Sequence, residues 1–146
     1  MKALLIRTNG MVEAVSFPEG GVEERLDWYY KQIGCSCIDI VRPYGLDAIA
    51  KANKLASVQD QYCLVVDDEA LMKAEPEINL IATLLYGYHE HGQVICGDAL
   101  VAKNEDTPEG IDTVGLNDLD MLKVQAGINA LISMHNEKVR ENNGGH

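Results

Sequence analysis

Aromatic residues are scarce in this chain of 146 residues, which has one Phe, one Trp and six Tyr. Its core must therefore be built mainly from aliphatic side chains. Long apolar runs are also missing. None approaches the roughly 20 residues that a membrane-spanning helix needs. The opening Met1-Lys2-Ala3-Leu4-Leu5-Ile6 starts like a signal peptide, but Arg7 ends it too soon for an apolar leader core. A cytoplasmic location is the expectation, with Cys35, Cys37, Cys63 and Cys96 as reduced thiols. Gly-x-Gly-x-x-Gly, Gly-x-x-x-x-Gly-Lys-Ser/Thr and Gly-x-Ser-x-Gly do not occur. Phosphate-cradling loops and a hydrolase elbow are thus without support.

Basic residues are few where acids are many. The net charge is −11, and residues 60–120 hold fourteen acids against Lys73 and Lys103. The first 59 residues balance at seven and seven. Such a regional field repels nucleic acid and anionic membrane and attracts basic partners. Neither direct nucleic-acid binding nor a membrane role is expected.

What is present reads as one α+β domain over residues 1–140 with a disordered tail at 141–146. Residues 2–7 and 11–17 are predicted strands, joined at Asn9-Gly10 by a tight type I′ turn. A helix over 21–33 has Val22, Leu26, Tyr29 and Ile33 on one face, Glu23 and Glu24 in its first turn, and Gly34 at its C-terminal cap. Residues 37–42 form a third strand, and Leu46 to Leu55 a short helix. Tyr62 to Val66 is apolar on both faces, which marks a central strand. A helix over 77–90 should bury Ile78, Ile81, Leu85 and Tyr88. Gln93 to Ala102 reads as a strand, residues 104–115 as a polar loop, and Asn117 as the cap of a final helix running to about Lys138 through Leu119, Leu122, Ala126, Ile128, Leu131 and Ile132. The order is β-β-α-β-(α)-β-α-β-α, a largely antiparallel or mixed sheet with the later helices on one face.

Several short motifs combine in this order: the opening strand and hairpin, Ile38-Asp39-Ile40-Val41, Leu64-Val65-Val66-Asp67-Asp68-Glu69, Asn79-Leu80-Ile81-Ala82-Thr83, Val94 to Val101, and Gly115-Leu116-Asn117-Asp118. Over about residues 1–120 the chain resembles a family of small proteins of unknown function found largely in phages, plasmids and their bacterial hosts. The resemblance implies a mobile-element accessory protein and carries no catalytic residue with it. Its matching polar positions are Asp67, Asn79, Thr83, Gly97 and Asp98.

The chemistry-bearing residues give competing readings. Asn79 and Thr83 share a helix face, and Asp98 interrupts an apolar strand. A buried Asp must be hydrogen-bonded or paired. These three either satisfy one another or, with Asp67, line a pocket for a small ligand such as a nucleotide signal. Asp67-Asp68-Glu69 offers hard oxygen donors but lacks a calcium-loop pattern, so a solvated turn is favoured. Cys35-x-Cys37 and His89-x-His91 have zinc-donor chemistry at an unusually narrow spacing; reduced thiols and helix-end imidazoles account for them without a metal. No residue set forms a recognised catalytic motif, and no cofactor is expected. Trp28-Tyr29-Tyr30 cannot all face one core, which directs Trp28 or Tyr30 toward a surface that proteins use at hot spots. Val124, Ile128, Leu131 and His135 offer a stripe for a homodimer. The sequence therefore favours a binding protein acting on a host protein or small ligand over an enzyme. An acidic mimic of DNA is one form of that reading.

Overall fold

A computed structural model describes residues 1–52, 61–88, 92–108 and 110–144. Its strands are β1 (Lys2–Ile6), β2 (Val12–Ser16), β3 (Ile38–Val41), β4 (Tyr62–Asp67), β5 (Ala99–Thr107) and β6 (Gly110–Val114). Its helices are α1 (Val22–Ile33), α2 (Tyr44–Ala52), α3 (Leu80–Tyr86) and α4 (Asp118–Gly144), with a short 3-10 turn at Ala70–Met72. All strand pairs are antiparallel, in the order β2-β1-β5-β4-β3, with β6 on β5. This is the α+β architecture expected, including the N-terminal hairpin.

Strand alternation divides the core into two layers. Ala3, Leu5, Cys63, Val65, Leu100 and Ala102 face α1 and meet Tyr29 and Ile33. Leu4, Ile6, Tyr62, Leu64, Val66 and Val101 face the other way, onto α2, α3 and α4. Every residue of β4 is buried, as its apolar pattern requires of a strand covered on both faces.

Several boundaries differ from the sequence reading, each for a local reason. The first hairpin is not a two-residue turn. Gly10 N–H donates to Arg7 O at 3.0 Å, Arg7 N–H donates to Met11 O, and Gly10 has φ +90°. That is a three-residue loop with glycine in the left-handed position. Helix α3 begins after Asn79 and ends at Tyr86, where Gly87 at φ +102° caps it by donating its N–H to Thr83 O and Leu84 O. Ile78 and Tyr88 consequently remain exposed, while Ile81 and Leu85 are buried. Strand β5 starts at Ala99 rather than Gln93, because Gly97 at φ +82° turns the chain out of the sheet. The segment read as a polar loop is instead the outer half of β5 and its return strand β6. Backbone pairing decides there: Glu105 and Asp106 are successive residues on opposite faces and both are exposed, so this outer half is uncovered on either side.

On α1, Val22 is 66% exposed whereas Tyr29 and Ile33 are buried, so only its C-terminal half seals the sheet. Trp28 is half-buried with its ring centroid 5.3 Å from that of Phe17, and Tyr30 is half-buried too. On α4, Leu119 and Leu122 are exposed, and Val124, Ile128 and Leu131 are core. The stripe read as a dimer surface is thus mostly consumed by the chain's own fold. Asn117 does cap α4, and does so reciprocally: Asp120 N–H donates to Asn117 Oδ1 at 2.8 Å and Asn117 N–H to Asp120 Oδ2 at 3.1 Å.

Candidate functional site

Strands β4 and β5 leave the sheet together at one end. Their ladder closes with Val65 and Leu100, and Asp67 and Asp98 lie just beyond it at the same end of the sheet. Around them gather Thr8 from the first hairpin, Cys35 from the end of α1, and Lys73, Glu75 and Glu77 from the connection into α3. Two shallow depressions, of about 250 and 330 Å³, adjoin at Lys73. Here Asp67 and Asp98, two of the four residues singled out by sequence, meet others that were not, while Asn79 and Thr83 line neither depression.

Asp67 is buried and its carboxylate is committed. One oxygen accepts from Glu69 N–H at 2.9 Å, which makes a turn as expected, but with Asp67 buried rather than solvated. The other lies 2.7 Å from Lys73 Nζ. The hydrogen bond to Asp67 raises the Lys73 pKa, which keeps the ammonium charged. Asp98 is half-buried and accepts from Thr8 N–H at 3.0 Å, with Arg7 at 3.4 Å. Arg7 is shared with Glu13.

Asn79 and Thr83 have different work. The Asn79 amide donates to Ile6 O and Gly97 O, both at 2.9 Å, and its oxygen accepts from Ala82 N–H as the cap of α3. Thr83 Oγ1 accepts from Ile95 N–H at 2.9 Å and donates to Ile95 O at 3.3 Å. The two side chains thereby clamp the stretch preceding β5 onto α3. They satisfy backbone rather than Asp98, because Gly97 turns that backbone toward them. Among the described residues every buried side-chain nitrogen and oxygen has a hydrogen-bond partner.

The thiols lie in surroundings that favour the protonated form. Burial, followed by the charge of Asp67, pushes the Cys35 pKa up. A hydrogen bond with Glu69, followed by its charge, does the same to Cys37. A nucleophilic cysteine needs the opposite environment. Among the described residues no group of three or more His, Cys, Asp or Glu side chains is placed to hold a metal ion. His89 and His91, the other half of the zinc reading, lie outside the described residues.

Lys73 and Arg7 are the site residues the sequence reading passed over. Lys73 did carry a signal, as one of two bases in a stretch of fourteen acids. A base that isolated is a natural counter-ion for a buried acid. Arg7 gave no signal, because its partner Asp98 is 91 positions away.

A family model described as a domain of unknown function, DUF3846, matches residues 1–127. The chain belongs to the DUF3846 family. No curated protein and no solved structure matches it. The DUF3846 match spans the whole sheet, α1 to α3 and the first turns of α4. It therefore includes Asp67, Asn79, Thr83 and Asp98, together with Lys73 and Arg7. In this DUF3846 chain the described residues contain no helix long and apolar enough to cross a membrane.

Proposed function

We propose that this DUF3846 chain is a non-enzymatic binding protein whose acidic surface engages a basic partner protein. The observation that carries the reading is the way its cations are spent. Arg7, Arg25, Arg42, Lys73 and Lys103 are each ion-paired within the chain. Glu23, Glu24, Asp27, Asp39, Asp68, Glu69, Glu75, Glu105, Asp106 and Asp118 are exposed. Each pair cancels one base against one acid, so the net charge of −11 stands and is carried by the carboxylates left over, these exposed ones among them. The resemblance to proteins of phages and plasmids extends the reading to an accessory protein whose partner belongs to the host.

A phosphate-bearing ligand fits the Lys73 depressions poorly. Lys73 already serves Asp67, and Glu69, Glu75, Glu77 and Asp98 stand around it. A mimic of DNA is the limiting form of the protein-binding reading, and displacement of a bound partner by duplex DNA would identify it.

Immobilised protein should capture basic host proteins at low ionic strength and release them as salt rises to several hundred millimolar, where screening shortens to a few Å. A variant with Glu23, Asp27, Asp39 and Asp68 changed to amides should lose them. Capture that survives both the salt and the amide variant would overturn the proposal.

A further inference from the structure

The outer strand β3 has two unlike faces, and its outer edge is unpaired among the described residues. Asp68 N–H donates to Cys37 O at 3.1 Å, which fixes Cys37, Asp39 and Val41 as the residues bonded to β4. By the same alternation Ile38 and Ile40 direct their backbone N–H and C=O groups outward. An edge of this kind is a template for another strand.

On the α1 side, this edge adjoins an apolar groove of about 120 Å³ between the lifted half of α1 and the sheet, lined by Val22, Leu26, Ile38 and Ile40. Val22 is 66%, Leu26 37% and Ile40 49% exposed, so the groove has apolar surface to give. On the opposite side, Asp39 and Asp68 border a depression of about 130 Å³. Of the other edge strands, β2 lines no such groove among the cavities described, and β6 borders this one through Asp112 and Thr113, where Asp112 is ion-paired with Arg25.

We infer that β3 accepts an extended partner segment whose side chains alternate between apolar and Lys or Arg, added as a further antiparallel or parallel strand. Successive residues of a strand point to opposite faces. The apolar set would cover Leu26, Val22 and Ile40, and the basic set would meet Asp39 and Asp68. Backbone bonds to Ile38 and Ile40 supply affinity, and the two faces supply selectivity. A second copy of this chain suits the edge less well, since it would bring Asp39 toward another Asp39 and one net charge of −11 toward another. The inference rests on the acidic-surface reading and names the segment which that surface would take.

The test uses isotope-labelled protein and a short peptide alternating Val and Lys. A peptide of identical composition with its Val and Lys in separate blocks is the control. The alternating peptide should slow amide exchange at Ile38 and Ile40 and bind at least about tenfold more tightly than the control. Ile40→Pro removes an outward N–H without touching a β4 bond, an edge position where proline is tolerated. Leu26→Lys puts a charge into the groove at an exposed site, and it carries the test if the proline variant fails to fold. Each should weaken the alternating peptide by about tenfold. Equal binding of the two peptides, no binding at millimolar concentration, protection of Val12 and Ala14 instead, or protection of Ile38 and Ile40 by self-association alone would each overturn the inference. Salt-sensitive capture of basic proteins is measured separately, so the acidic-surface reading stands or falls on its own result.

Discussion

Replacing Asn79 with Ala removes three hydrogen bonds at a residue that is 1% exposed. The lost cap of α3 costs about 1 kcal/mol. The carbonyls of Ile6 and Gly97 each lose a donor, at about 1 kcal/mol apiece. The sum, about 3 kcal/mol, is roughly a 150-fold change in the folding equilibrium. In a domain of this size it lowers Tm by about 6–12 °C. Urea titration followed by circular dichroism reads it directly, with an unchanged denaturant slope showing that the unfolded state is not altered. Asn79→Ser keeps a capping oxygen and loses both amide donors, so it should recover about 1 kcal/mol of the loss. A cost below about 0.5 kcal/mol for Asn79→Ala would refute the clamp and return Asn79 to the list of residues free to hold a ligand.

Asp120 gives a pH signature. Burial pushes its carboxyl up, but hydrogen bonds from Asn117 N–H, Tyr62 OH and Lys103 outweigh burial and leave the pKa lowered. A lowered carboxylate stabilises the fold above its unfolded-state value and ceases to as pH falls through its folded value. The stability difference between wild type and Asp120→Asn should therefore be full at neutral pH and shrink below about pH 4, as read from urea midpoints. At Gly45 an added Cβ would sit 2.0 Å from Leu84 O. Gly45→Ala should consequently force α2 from α3 and cost about 1–3 kcal/mol or more by the same titration. Mass spectrometry after brief native alkylation at neutral pH should find Cys35 and Cys37 modified slowly, and Cys63 and Cys96 only on unfolding, since the latter two are buried. The Cys63 thiol is pushed up to about 12 by burial. Rapid labelling of Cys35 would contradict the environment assigned to it.

The parts of the fold legible in the sequence are those set by local pattern. The uninterrupted apolar run of β4, the Gly34 cap and the Asn117 cap all depend on residues close in sequence. Those lost to the reading depend on distant partners. Residues 104–107 are polar, and only the return of β6 makes them a strand. Val22 and Leu26 continue the stripe of Tyr29 and Ile33, yet no pattern within α1 shows that its first turns stand clear of the sheet. The candidate site divides in the same way. Asp67 and Asp98 stood out because each interrupts or ends an apolar strand. Arg7 reaches Asp98 through the pairing of β1 with β5, which no local motif encodes, whereas Lys73 follows Asp67 closely in sequence and its pairing is local. The spacing of Asn79 and Thr83 predicts a shared helix face, whereas Asn79 stands outside α3 as its cap and both hold backbone that Gly97, at positive φ, turns toward them.

Strand β5 has a consequence for how the chain is made. It bonds to β1, β4 and β6, and Leu4 pairs with Val101. The first hairpin can close as soon as it leaves the ribosome, but its inner strand then waits for roughly 100 further residues, about 5–20 s at ordinary elongation rates. During that interval Leu4 and Ile6, whose face is completed by the later helices, lack most of their cover, whereas α1 can already shelter Ala3 and Leu5. The nascent hairpin is thus the segment of this protein most in need of a chaperone, and slowing translation between β2 and β5 should lower its soluble yield.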